Sequence, residues 1–291
     1  MAGWNDILNE IDSQGESIID KTRKKYIEEL YHLTERNVII YYSSFLTRYN
    51  IDNLDINDGD IDGFMAVMKG LECSKGLDLI LHTPGGDPMA AEAIVNYLSE
   101  KFNKDIRVIV PHLAMSAGTM IACAAKSIVM GSHSSLGPTD PQFRGIPAIN
   151  ILKDFIMAKN EIIDNPASIP YWEMLLRQYS PAMLHNVQDA MELSEKLVKQ
   201  WLRSNMLKNE EETVQKVAEA LNDHDQSKLH NRHYSKRHCK KLGLKIEDLE
   251  KDQKFQDAVL NIHHTMTLTF SKTSIIKVIA SNTGNAFIIA E

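Results

Sequence analysis

The chain has 291 residues, 43 % hydrophobic and 24 % charged, which supplies a sizeable core and excludes a wholly disordered polymer. Lys plus Arg number 32 against 39 Asp plus Glu, a net charge of −7, so no global basic field holds nucleic-acid phosphates and no nucleic-acid partner is expected. The 3 cysteines (Cys73, Cys123, Cys239) lie far apart without a CxxC pair, which argues against a disulfide scaffold and predicts a reducing, cytoplasmic setting.

Residues 1–16 are polar and read as a flexible N-terminus; 17–291 read as a single domain. From Ser17 to Thr34, Ile18, Ile19, Tyr26, Ile27, Leu30 and Tyr31 recur at helical spacing. Val38–Tyr42 is a β-branched and aromatic strand. The Asp- and Asn-rich stretch 50–62 reads as a loop, with Asp60 or Asp62 capping a short helix that ends near Gly70. The centre then alternates: strand Leu77–His82, turn Thr83-Pro84-Gly85-Gly86, helix Met89–Phe102, strand Ile106–Pro111, helix Ser116–Ala125, strand Ser127–Met130. Short, almost continuously apolar strands separated by helices predict a largely parallel sheet covered on both faces. Beyond Pro141 the chain turns helical, over 149–163, 181–208, 210–221 and 252–269, before two closing strands at 275–280 and 286–290. The first thirty residues hold no signal-peptide core, and no run approaches the roughly 20 apolar residues of a spanning helix, so no membrane span is expected.

Two turns follow successive strands and fall on the strand C-terminal edge, where parallel sheets open their crevice. In the first, Gly85 and Gly86 allow backbone conformations and close approaches closed to other residues. In the second, Ser116 stands where a strand becomes a helix, beside small Ala117 and Gly118. The unpaired N–H groups and dipole of a helix N-terminus favour negative charge, as on the oxyanion formed when a serine attacks a carbonyl. Ser116 is therefore the candidate nucleophile, with the N–H groups of Gly86 and Ala117 as its oxyanion hole. The glycine pair has neither the GxGxxG nor the GK[ST] pattern of a phosphate loop, and no cofactor is expected.

LHTPGG, MSAGTMIACAA and SIVMGSHSSLGPTDPQ together resemble the ClpP/crotonase superfamily of serine peptidases. More closely, with RNVIIYYSSFL and LHNRHYSKRHCKKLGL, the chain is similar to the serine dehydrogenase proteinase (SDH) family, relatives of signal peptide peptidase A, over about 25–290. The resemblance implies an α/β, ClpP/crotonase-like fold of repeated ββα units with a helical C-terminal half. It also implies a peptide or protein substrate, assembly into a homo-oligomer, and Ser116 as nucleophile with Gly86 and Ala117 as oxyanion donors. It leaves the base open. Where ClpP carries a histidine, this chain reads Thr139-Asp140-Pro141. The peptidase A branch uses a lysine, which here implies Lys153, near a predicted helix start, ahead of Lys159; His112 and His133 are the other options. A lysine base must shed its proton first, through burial or a neighbouring positive charge. Asp140 is an orienting carboxylate or a turn cap. Two rivals remain: a crotonase-type acyl-CoA enzyme with Asp87 or Asp140 near the hole, and a non-catalytic ClpP-like binding or assembly protein. The His-rich stretch around His224, His230, His233, His238 and Cys239 lacks zinc-site spacing and reads as a solvated basic segment rather than a metal site.

Overall fold

A computed structural model describes residues 16–143, 145–180, 182–222 and 232–291. The predicted loose N-terminus lies outside them, save for Glu16, which begins the first helix, α1 (Glu16–Thr34). The core strands are β1 (Asn37–Ser43), β2 (Leu77–His82), β3 (Ile106–Val110) and β5 (Ser127–Met130). Between them run α2 (Asp60–Val67), α3 (Pro88–Lys101) and α4 (Ala117–Ala124). The sheet has seven strands; across it they run Ile246–Asp248, β5, β3, β2, β1, Ile275–Ser281 and Ala286–Ala290. Strands β1, β2, β3, β5 and β10 (Ile246–Asp248) pair in parallel. Strands β11 (Ile275–Ser281) and β12 (Ala286–Ala290) close the other edge antiparallel. This is the largely parallel α/β sheet that the apolar strand pattern predicts.

The strands are apolar on both sides because both sides are covered. Ile39, Leu79, Leu81, Val108 and Val110 pack with α3, α4 and two C-terminal helices, α7 (Met183–Ser204) and α8 (Glu211–Asn222). Tyr42, Ile80, Ile109 and Val129 pack with Ile27 and Leu30 of α1 and Val259 and Met266 of α10 (Gln253–Lys272). Short strands complete ββα units: β4 (Leu113–Ala114) lies between β3 and α4, and pairs with β6 (Ser135–Leu136), which pairs with β9 (Tyr234–Ser235). A hairpin of β7 (Gln142–Phe143) and β8 (Ile146–Pro147) leads into α5 (Ala148–Asp164) and α6 (Ile169–Leu176).

Three local expectations need correction. Neither Asp60 nor Asp62 caps α2: Gly59 holds the N-cap without a side-chain bond, α2 ends at Val67, and Asp60 is a buried residue with other partners. Ser116 precedes α4 rather than belonging to it. The basic stretch after residue 231 is not simply solvated: α9 (Lys236–Leu242) buries Cys239 and Leu242, while Lys236 binds Asp248 at 2.8 Å and also Glu250. His224 and His230 lie outside the described residues. Among the described residues no group of three His, Cys, Asp or Glu side chains is set to hold a metal ion. Nor is any described helix long and apolar enough to cross a membrane.

Candidate active site

The two turns singled out in the sequence are laced together. Thr83, just past β2, accepts from Met115 N at 3.1 Å and donates its N–H to Leu113 O at 3.1 Å. The Thr119 hydroxyl bonds Ala114 O at 2.8 Å and receives Gly137 N at 2.9 Å. Backbone pairing therefore brings the turn after β2 against the turn after β3.

Gly85 sits at φ +102°, and a Cβ there would lie 2.6 Å from the Ser116 Cβ. No larger residue fits while the two turns touch this closely. Gly86, at φ +148°, is clamped from the other side: a Cβ would lie 2.3 Å from Ile56 O. Ile56 N donates to Gly85 O at 2.7 Å, and Asp87 N donates to Ile56 O at 2.9 Å. The Ile56 turn is itself pinned by a buried charge pair. Lys277 on β11 donates to Asp55 O at 2.7 Å and to Asp60 Oδ1 at 2.8 Å, with both charged side chains 0 % exposed. Asp60 Oδ2 receives the Tyr41 hydroxyl at 2.7 Å and Asn57 N at 3.1 Å. Burial pulls the Lys277 ammonium below its ordinary pKa while Asp60 opposes the shift. Sequence inspection missed this network, because Lys277 is 217 residues from Asp60.

Ser116 adopts φ +48° and ψ −117°, a region that costs a non-glycine residue about 1–3 kcal/mol. It occupies the N-cap of α4, where a serine usually accepts from an amide one turn on, yet its side chain makes no capping bond. It lines a cleft of about 380 Å³, together with Pro84, Gly86, Met120, Thr139, Gln142, Phe143 and Ser194. Among the described residues neither the N–H of Gly86 nor that of Ala117 is engaged in a hydrogen bond. A hydroxyl on a strained turn beside unspent amide donors, at a helix N-terminus, supplies a nucleophile and oxyanion donors of the kind acyl transfer uses, without a proton acceptor among the described residues of the cleft wall.

The structure thus brings Ser116, Gly86 and Ala117 together. Lys153 and Lys159 are exposed on α5, and neither lines the cleft. His133 is exposed, and His112 lines a different cavity. Asp140 is buried beside Thr139 and lines a neighbouring hollow with Ala148 and Met191. Two cleft residues had no sequence signal. Among the described residues the buried Thr139 hydroxyl has no hydrogen-bond partner, and Ser194 on α7 donates to Thr139 O at 2.8 Å. A serine or threonine on an amphipathic helix or in a loop looks like any solvated polar residue until the packing is known.

Two curated relatives come from Methanocaldococcus jannaschii. The uncharacterized protein MJ0137 is 44 % identical over 94 residues, 32 % of either chain. The uncharacterized protein MJ1495 is 43 % identical over 88 residues, 30 % of either chain. The chain spans about a third of the length of the curated relatives it matches. The family described as ClpP-like SDH-type serine proteinase matches residues 49–257, which takes in the Ile56 clamp, both turns, the cleft and the helices behind it. With that match over most of its length, the chain belongs to the family of ClpP-like SDH-type serine proteinases.

Proposed function

We propose that the chain is a serine peptidase in which Ser116 attacks a peptide carbonyl. The N–H groups of Gly86 and Ala117 receive the oxyanion, an acyl-enzyme forms as the amine leaves, and water releases the acid. The observation that carries this reading is the strained, uncapped Ser116 lining a cleft with Gly86, with the N–H groups of Gly86 and of its neighbour Ala117 unspent among the described residues. Each such donor contributes a factor of about 10²–10³ to turnover in acyl-transfer sites.

Lys153 is the proposed proton acceptor, the chemistry of the signal peptide peptidase A branch. It stands exposed on α5, so this role requires α5 to close over the cleft and strip the amine of water. The hairpin that leads into α5 contributes Gln142 and Phe143 to the cleft wall, so such a movement would reshape the site. The exposure of Lys153 favours a second reading, a non-catalytic cleft that binds peptides. The proposal places the chain in the cytoplasm, without a cofactor, as a homo-oligomer. Exposed Ile156, Met157, Ile163, Tyr171 and Met174 on α5 and α6 support assembly, and light scattering decides it.

A fluorophosphonate probe and a peptide library test the chemistry. We expect labelling and cleavage by the natural chain and neither by Ser116→Ala. Labelling that persists in Ser116→Ala removes Ser116 as nucleophile. Cleavage at the full rate by Lys153→Met moves the base elsewhere. No labelling of a folded natural chain, with peptides still retained, leaves the binding reading.

A further inference from the structure

A second cavity, of about 320 Å³, opens on the other face of the same sheet edge. Three consecutive parallel strands deliver its wall: Ser44 follows β1, His82 ends β2, and His112 follows β3. Helix α10 lays His263 and His264 across them. The rings of His82, His112 and His263 stand 5.4–5.8 Å apart between centroids. This is the strand C-terminal crevice where α/β sheets take ligands, and the peptidase reading makes no use of it.

Ser44 is 2 % exposed and lines the cavity, and among the described residues its hydroxyl has no hydrogen-bond partner. A buried hydroxyl left unpaired costs about 1–3 kcal/mol, so an orphan in a cavity wall stands to gain from a ligand that accepts its proton. One side of the His82 ring is committed, with Nδ1 3.1 Å from Leu113 O and 3.3 Å from Leu113 N, which leaves Nε2 for other contacts. His263 Nδ1 lies 3.4 Å from the Tyr42 hydroxyl.

Imidazole clusters take either metal ions or anions. A metal needs three converging donor atoms, which the described residues do not offer here. Among the described residues no carboxylate lines the cavity, so a bare cation finds no counter-charge there. An oxyanion needs only N–H and O–H donors and the positive charge that imidazoles gain with a proton. The geometry points to a binding site for a small oxyanion, sulfate- or carboxylate-like, held by Ser44, His82, His112 and His263.

Burial first, and the neighbouring rings second, depress these imidazoles: His82 to about 3, His263 well below its ordinary value, His112 and His264 downward. The titratable groups around them are Tyr42 on β1, one another, and, acting at longer range, His133 and His233. The empty site is therefore neutral at neutral pH, and an arriving anion draws in a proton. Each proton taken up strengthens binding by up to about tenfold per unit fall in pH.

Titration calorimetry with sulfate, whose charge stays fixed over this range, tests the site at pH 6.0 and 8.0 in two buffers of different ionisation heat. We expect binding at least tenfold tighter at pH 6.0, with net uptake of about one proton. His263→Gln and Ser44→Ala should each weaken it about tenfold, with thermal melts confirming that both variants fold. A parallel titration with acetate assigns the ligand class: preference for sulfate marks a tetrahedral oxyanion and preference for acetate a carboxylate, either supporting the site. Absence of binding at pH 6.0, binding without proton uptake, or affinity unchanged in both variants overturns it. So does zinc binding that His263→Gln removes while sulfate fails to bind. Ser116 plays no part in the site, so the outcome is independent of the peptidase reading.

Discussion

At Ser116 a residue with a Cβ is held at φ +48°, where glycine is at ease. That inverts an ordinary rule. Glycine inside regular structure is typically worse than alanine by about 0.5–1 kcal/mol, because it loses more freedom on folding. At position 116 alanine keeps the strain and glycine releases it. Ser116→Gly is expected to melt above Ser116→Ala, with a gap of about 1–2 kcal/mol in calorimetry or urea unfolding, although both lose the hydroxyl. A melt of Ser116→Ala at or above that of Ser116→Gly would show that the turn stores no strain. The position of this residue at a strand-to-helix turn was legible in the sequence because its signal is local: a strand, a serine, two small residues and a helix. Lys153 was not so readable, since nothing in a string of letters tells an exposed helix lysine from one folded into a cleft.

The elements show the same division. Strands β1, β2, β3 and β5 announced themselves as continuous apolar runs, because a strand covered on both faces has no polar side to show. The two-residue strands β4, β6 and β9 escaped notice, since no periodicity develops over such lengths. Asp60 misled in a different way. An aspartate at the start of a helix reads as a cap, but this one faces inward to meet Lys277. Removing one partner of a fully buried ion pair leaves an uncompensated charge and costs about 3–5 kcal/mol, while replacing both with apolar groups is often near neutral. Asp60→Leu alone should therefore destabilise severely. The double change Asp60→Leu with Lys277→Met should recover much of the stability in urea unfolding, yet not the rate of the proposed peptidase reaction. The loop around Ile56 would still lack its anchor at Asp55 O, and Gly86 its fixed clamp. Full recovery of the rate in the double variant would separate the buried pair from the placement of Gly86.

Over the whole molecule, the sheet divides two cavities, one lined by Ser116 and the other by histidines. The second was invisible in the sequence because His82 and His263 meet only across the folded sheet, while of the histidines that looked clustered, His233 and His238 do not line it and His224 and His230 lie outside the described residues. Their burial sets the acid limit of the fold. With His82 lowered to about 3 and its neighbours also depressed, the unfolded chain takes up protons below about pH 6.5 that the folded chain refuses. Stability is then full above that value and falls as the pH drops from 6.5 toward 3, by up to about 1.4 kcal/mol per pH unit for each histidine. Urea midpoints at pH 7.5, 6.5 and 5.5 should decline in that order, and His82→Gln should shallow the decline. A midpoint unchanged from 7.5 to 5.5 would contradict the burial of these rings.

Lys277 lies in β11, which pairs with β1 near the middle of the sheet, although β1 leaves the ribosome more than two hundred residues earlier. A growing chain thus exposes its serine and both turns long before the amine arrives that anchors the loop gripping Gly86. If the cleft cuts polypeptides, a ribosome-held fragment carries the blade without the late-arriving clamp.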